Sequence, residues 1–223
     1  MSADTVVFLG PSLDLGHARR ILPDAEYLPP VRRGDIDALM VRPAPPRRVA
    51  IVDGCFLHAL SISPKEINKA MLRGVAFFGS SSMGALRAVE LCRWGMTGVG
   101  QVYDLYRTGA VEDEDEVAIT FDPESLRPLC LPMVNFRIAV GELVARDLLS
   151  AGDGTALLET AKAEYFPDRT VGIVFRRLAD RLGVEEAERI RRIWDEHAPD
   201  AKRDDAVQLL EILAGDRGDE GAE

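Results

Sequence analysis

The chain has 223 residues, 47% of them apolar, and a formal net charge of −10 at pH 7. That apolar share suffices for a real core, while the acidic balance argues against nonspecific nucleic-acid binding and against anionic membranes. No apolar run is long enough to span a bilayer and Met1-Ser-Ala-Asp4 opens no signal-peptide core, so a cytoplasmic location is expected.

In chain order, Thr5 to Gly10 reads as a first strand closed by the turn Gly10-Pro11-Ser12, with a helix near Leu15 to Leu22. Tyr27 to Val31 reads as a short extended piece and Gly34 to Val41 as a helix, broken by Pro43 to Pro46. Arg47 to Asp53 is a buried-strand pattern. Ser63 to Arg73 is a helix with Ile67, Ala70 and Met71 on one face, and Val75 to Gly79 is the next strand. Met83 to Cys92 and Val99 to Tyr106 read as helices, Glu116 to Phe121 as an edge strand and Val134 to Leu149 as a helix. Helical patterns then cover Ala156 to Glu164, Val171 to Leu182, Val184 to Trp194 and Asp205 to Leu213, and the charged end from Gly215 to Glu223 is expected to be disordered. The sum is an α/β fold: a parallel-containing sheet with helices over residues 1–150, then an all-helical extension over 151–214 packed on that core.

Two segments carry the chemistry. Val75-Ala-Phe-Phe-Gly-Ser-Ser-Ser-Met-Gly-Ala-Leu-Arg87 runs from an apolar strand through small residues into a helix. Ser82, with Ser80 two positions before it and Gly84 two after, approaches the small-x-Ser-x-Gly pattern of a nucleophile elbow. Ser80 and Ser81 stand beside it as alternatives. A serine at a helix N-terminus meets free N–H groups, here those of Met83 and Gly84, that can stabilise an oxyanion. Arg87, about one turn on, offers a further fork of donors or a structural ion pair. In the second segment, Ser63-Pro-Lys-Glu66 has the form of a capping box. It puts Lys65 in the first helical turn, where the macrodipole disfavours positive charge. A pKa lowered by the dipole and by burial would suit a general base. The intervening βαβ unit brings both helix starts to the carboxyl edge of the sheet, so Lys65 and Ser82 are expected to face one crevice. The Gly10-Pro11-Ser12 turn belongs to the same edge, as an anion site, a channel wall or a plain turn.

At these residues the chain resembles the TfuA-like core family. The resemblance rests on Phe8-Leu-Gly-Pro-Ser12, Pro29-Pro30 followed by Arg33-Gly-Asp35, Val52-Asp-Gly54, Lys65-Glu-Ile67, Gly79-Ser-Ser-Ser-Met-Gly-Ala-Leu-Arg-Ala88, Gly95-Met96, Asp115-Glu-Val-Ala118 and Pro132-Met-Val-Asn135, in family order. Pro64 stands where the family usually has His. The resemblance implies a hydrolase that releases sulfide from a thiocarboxylated ThiS-type sulfur-carrier protein. That sulfide would supply a YcaO-type enzyme in peptide backbone thioamidation, with the precursor peptide as a further partner. Carried over, Ser82 is the nucleophile and Lys65 the base. Met83, Gly84, Arg87, Ser81, Gly10, Ser12 and Asp53 form the oxyanion or substrate-binding set.

Competing readings are a non-catalytic adaptor binding YcaO and its peptide, and a Rossmann-like phosphate-binding module. The chain has neither G-x-G-x-x-G nor a Walker A sequence, so the module ranks last. No cofactor is implied. Cys55, Cys92 and Cys130 share no CxxC spacing, and His17, His58 and His197 form no ligand-spaced pair, so no metal is expected. The acidic block Glu112 to Glu116 reads as a solvated loop or a docking patch for a basic partner.

Overall fold

Among the described residues, 4–56 and 60–219 of a computed structural model, five strands form one parallel sheet. They are β1 (Thr5–Phe8), β2 (Glu26–Leu28), β3 (Arg48–Ile51), β4 (Ala76–Ser80) and β5 (Thr97–Val99), in the order β2-β1-β3-β4-β5. The register pairs Val7 with Ala50 and Ala50 with Phe78, so the central strands lie level. Their side chains alternate as the pleat requires. Val6, Phe8, Val49, Ile51 and Phe77 enter one apolar layer, and Val7, Leu9, Ala50, Val52 and Phe78 the opposite one. Both faces are buried, which is why the strands read as continuous apolar runs.

The first layer is closed by α2 (Asp35–Met40), α3 (Pro64–Met71) and α4 (Met83–Leu91), through Ile36, Leu39, Ile67, Ala70, Ala88 and Leu91. The second is closed by α1 (Leu15–Ile21) and by α10 (Ala201–Asp219), which contributes Ala206, Leu209, Leu210 and Leu213. Between them in sequence, α5 (Gln101–Arg107) follows β5.

The chain divides into two compact units, Met1–Glu112 with Lys202–Glu223, and Asp113–Ala201. The division falls elsewhere than at residue 150, because α10 returns to the sheet and completes its second face. The other unit holds α6 (Met133–Ala145), α7 (Ala151–Ala163), α8 (Val171–Leu182) and α9 (Val184–His197) around its own core, with Phe136 stacked on Trp194 at 4.8 Å between ring centroids.

Three local expectations change. Thr97 to Val99 is a strand, and the helix after it starts at Gln101. Glu116 to Phe121 is no strand: Glu114–Glu116 is a 3₁₀ turn and Phe121 makes a single bridge to Pro128. Residues up to Asp219 of the expected disordered end continue α10, while His58 and residues 220–223 lie outside the described residues. Among the described residues, no helix is long and apolar enough to cross a membrane.

Candidate functional site

The turn after β4 reverses the chain within three residues. Ser82 N–H donates to Ser80 O at 2.7 Å, and Ser81 between them has φ +66°. This is a γ-turn geometry, one of the strained ways to turn an L-residue chain. The first turn of α4 then lies directly on the ends of β3 and β4. A Cβ at Gly84 would stand 1.7 Å from Ile51 O, and one at Gly79 would stand 2.1 Å from Gly84 O. The glycine two positions after Ser82 is therefore required by backbone contact.

Ser82 is the N-cap residue of α4, yet its hydroxyl does not cap the helix. Lys202 Nζ lies 3.0 Å from Ser82 Oγ instead, and the two residues are 3% and 2% exposed. Lys202 sits in the first turn of α10. The Ser80 and Ser81 hydroxyls are buried, with no hydrogen-bond partner among the described residues.

The donors expected around Ser82 are only partly available. Gly84 N–H donates to Val52 O at 3.3 Å and Ala85 N–H to Ser82 O at 3.0 Å. Among the described residues Met83 N–H has no acceptor, so it is the open donor of this turn. Arg87 is buried, pairs with Glu90 and approaches Ser61 Oγ at 3.4 Å.

Lys65 does not supply the amine on Ser82. The buried face of α3 is Glu66, Ile67 and Ala70, and Lys65 falls off it. Its side chain is exposed and lines a surface groove with Arg33, Asp37, Ser63, Glu66 and Lys69. Ser63 does cap α3, accepting from Lys65 N–H at 3.3 Å, with Pro64 in the first helical position. Glu66 does not close the expected box. Its carboxylate accepts from Gly34 N–H at 2.9 Å, Ile36 N–H at 3.0 Å and Asp37 N–H at 3.3 Å, and so caps α2.

Gly10, Ser12 and Asp53 are brought together where the strand order reverses between β1 and β3, the place at which open α/β sheets bind ligands. Asp53 Oδ2 accepts from Gly10 N–H (2.9 Å) and Ser12 N–H (3.1 Å), and Oδ1 accepts from Ser12 Oγ (2.6 Å). The turn's donors are committed to the protein's own carboxylate, which joins the ends of the two central strands. The N-terminal segments of α2 and α5 are met in the same manner, by Glu66 and by Asp205, whose carboxylate accepts from Gln101 N–H and Val102 N–H at 2.8 Å each. At α4 the approaching group is the Lys202 amino group.

Within the other unit the acidic block is not simply solvated. Glu116 is 2% exposed and paired with Arg137, and Lys162 Nζ reaches Asp113 (3.3 Å), Asp115 (3.3 Å) and Glu116 (2.8 Å). Burial pushes the Glu116 carboxyl up, but hydrogen bonds from Arg137 and Lys162 outweigh it and hold the group below the usual range. The ligand atoms of Asp113, Asp115 and Glu116 lie within 4.8 Å of one another, and the Lys162 ammonium serves this trio as counter-ion.

Sequence reasoning missed Lys202, although a signal was present. Ala206, Leu209, Leu210 and Leu213 follow it at helical spacings of four, seven, eight and eleven, so Lys202 occupies the apolar stripe of its helix. A lysine in that register is a buried lysine, and a buried amine demands a partner.

No curated protein matches the chain. The family model described as TfuA-like protein matches residues 53–170, a range that includes Ser82 and stops short of Lys202. This match covers more than half of the 223 residues, and the chain belongs to the TfuA-like family.

Proposed function

We propose that the protein is a Ser–Lys hydrolase that releases sulfide from a thiocarboxylated ThiS-type carrier protein and supplies a YcaO-type enzyme for peptide backbone thioamidation. One observation carries the reading: a buried N-cap serine leaves its own helix uncapped and meets a buried lysine at 3.0 Å. Family membership supports the choice of substrate, through what TfuA-type proteins are taken to do. Lys202 takes the place in this scheme that Lys65 held on sequence grounds.

In its amine form Lys202 accepts the Ser82 Oγ proton. Oγ then attacks the thiocarboxylate carbon. Met83 N–H, at the positive end of α4, faces the charge that develops on oxygen. The C–S bond breaks and sulfur leaves with the proton from Lys202 as hydrosulfide, giving an acyl-Ser82. Lys202 next takes a proton from water, whose oxygen attacks the ester. The Ser82 oxygen departs with the proton, and the carrier leaves as a carboxylic acid that gives its remaining proton to solvent and becomes the carboxylate.

The test is sulfide release from a matched thiocarboxylated carrier, with wild type beside Ser82→Ala and Lys202→Met. Loss of release in both folded variants is the expected result. No release by folded wild type would refute the hydrolase and leave the adaptor reading.

A further inference from the structure

We propose that Asp205 is the positioning residue that holds Lys202 on Ser82. Lys202 stands in the first turn of α10, and helix ends fray. Ala206, Leu209, Leu210 and Leu213 seat α10 through apolar contacts, and apolar contacts have no direction. Asp205 supplies the direction. It lies three residues, about one turn, beyond Lys202 and on the same side of the helix. Its carboxylate is 3% exposed and receives Gln101 N–H on one oxygen and Val102 N–H on the other, both at 2.8 Å. Two charge-assisted bonds to adjacent N–H groups fix both the rotation and the height of α10 against the start of α5.

The sequence makes room for this contact. Gly100 has φ +99°, and a Cβ there would lie 2.2 Å from the Asp205 carboxyl carbon. A side chain at position 100 would thus expel the carboxylate. The anchoring sites are far apart in the chain, at 100–102 and 205, and the residue they steady is the one whose amine reaches Ser82. Asp205 touches no reacting atom in the proposed hydrolysis. Its effect on turnover rests on the hydrolase reading, whereas its hold on Lys202 does not.

The experiment separates the two. Reductive methylation of the full chain with formaldehyde and cyanoborohydride, read by peptide mass spectrometry, reports the access to Lys202, with exposed Lys65 as internal standard. Wild type should modify Lys202 far more slowly than Lys65. In Asp205→Asn and in Gly100→Ala, with helical content unchanged, Lys202 should react about tenfold faster, as local opening of a helix end predicts. In the same variants sulfide release should lose about a hundredfold in kcat with little change in KM, since misplacing a catalytic group by about 1 Å has that effect. Lys202 protection that persists in both folded variants would overturn the anchoring. A wild type that protects Lys202 but releases no sulfide would instead overturn the hydrolase.

Discussion

Gly84 and Ile51 touch backbone to backbone: a Cβ on Gly84 would lie 1.7 Å from the Ile51 carbonyl oxygen. The contact seats the first turn of α4 on the end of β3 and sets where Ser82 stands. Gly84→Ala must push α4 off the strand. It should lower stability by about 3 kcal/mol, at the upper end of overpacking effects, measured as a shift of the urea midpoint without a change in slope.

The two lysines considered as bases give opposite expectations. Ser82→Ala and Lys202→Met should each reduce sulfide release by about 10³-fold or more, because paired residues act as one unit. Lys65→Ala, at an exposed position on α3, should fall by less than about threefold, within the usual range of surface changes. Initial-rate assays on the three variants decide the assignment. A collapse in Lys65→Ala with Lys202→Met active would return the role to Lys65.

The role of Glu66 can be read from a double-mutant cycle. Glu66→Ala removes the acceptor for three N–H groups at the start of α2 and should cost about 2 kcal/mol, while Ser63→Ala removes an ordinary N-cap and should cost about 1 kcal/mol. Because the two residues serve different helices, the double mutant should be additive to within about 0.5 kcal/mol. Coupling above about 1 kcal/mol would mean that a capping box forms after all.

Stability should depend on pH with a sign set by two carboxylates. Burial pushes Asp205 up from 3.8 to about 6, against the N–H groups of Val102 and Gln101, with Asp204 and Asp104 adding to the rise. The folded protein therefore binds this proton more readily than the unfolded chain does. Asp205 alone makes stability increase as pH falls from about 6 toward 4, by up to about 3 kcal/mol. Glu116, held below its ordinary 4.5, works the other way: its contribution is present above that value and is lost as pH falls below it. Chemical denaturation from pH 4 to 8 should show a gain on mild acidification that Asp205→Asn abolishes. A flat profile in the wild type would contradict it.

Strands β1, β3 and β4, the Ser63 cap, the break at Pro43 to Pro46 and the small-residue turn around Ser82 were legible in the chain because each is decided locally. Continuous apolar runs, a hydroxyl before Pro64 and glycine beside a serine leave their marks within a few residues. The capping-box spacing and the βαβ topology put Lys65 beside Ser82, whereas in the folded chain it is Lys202 that meets Ser82 and Lys65 is exposed. Glu66 likewise looked like a capping-box residue because its spacing from Ser63 fits, and spacing says nothing of a competing helix start that the fold brings near.

What only the tertiary structure decided is the meeting of Ser82 with Lys202 across 120 residues of chain. No local preference encodes it. It arises because α10 covers the second face of the sheet, and because packing fixes the rotation that turns its apolar stripe inward. That stripe carries Lys202 and Asp205 with it, so the same burial that seats the helix delivers an amine to Ser82 and a carboxylate to the start of α5.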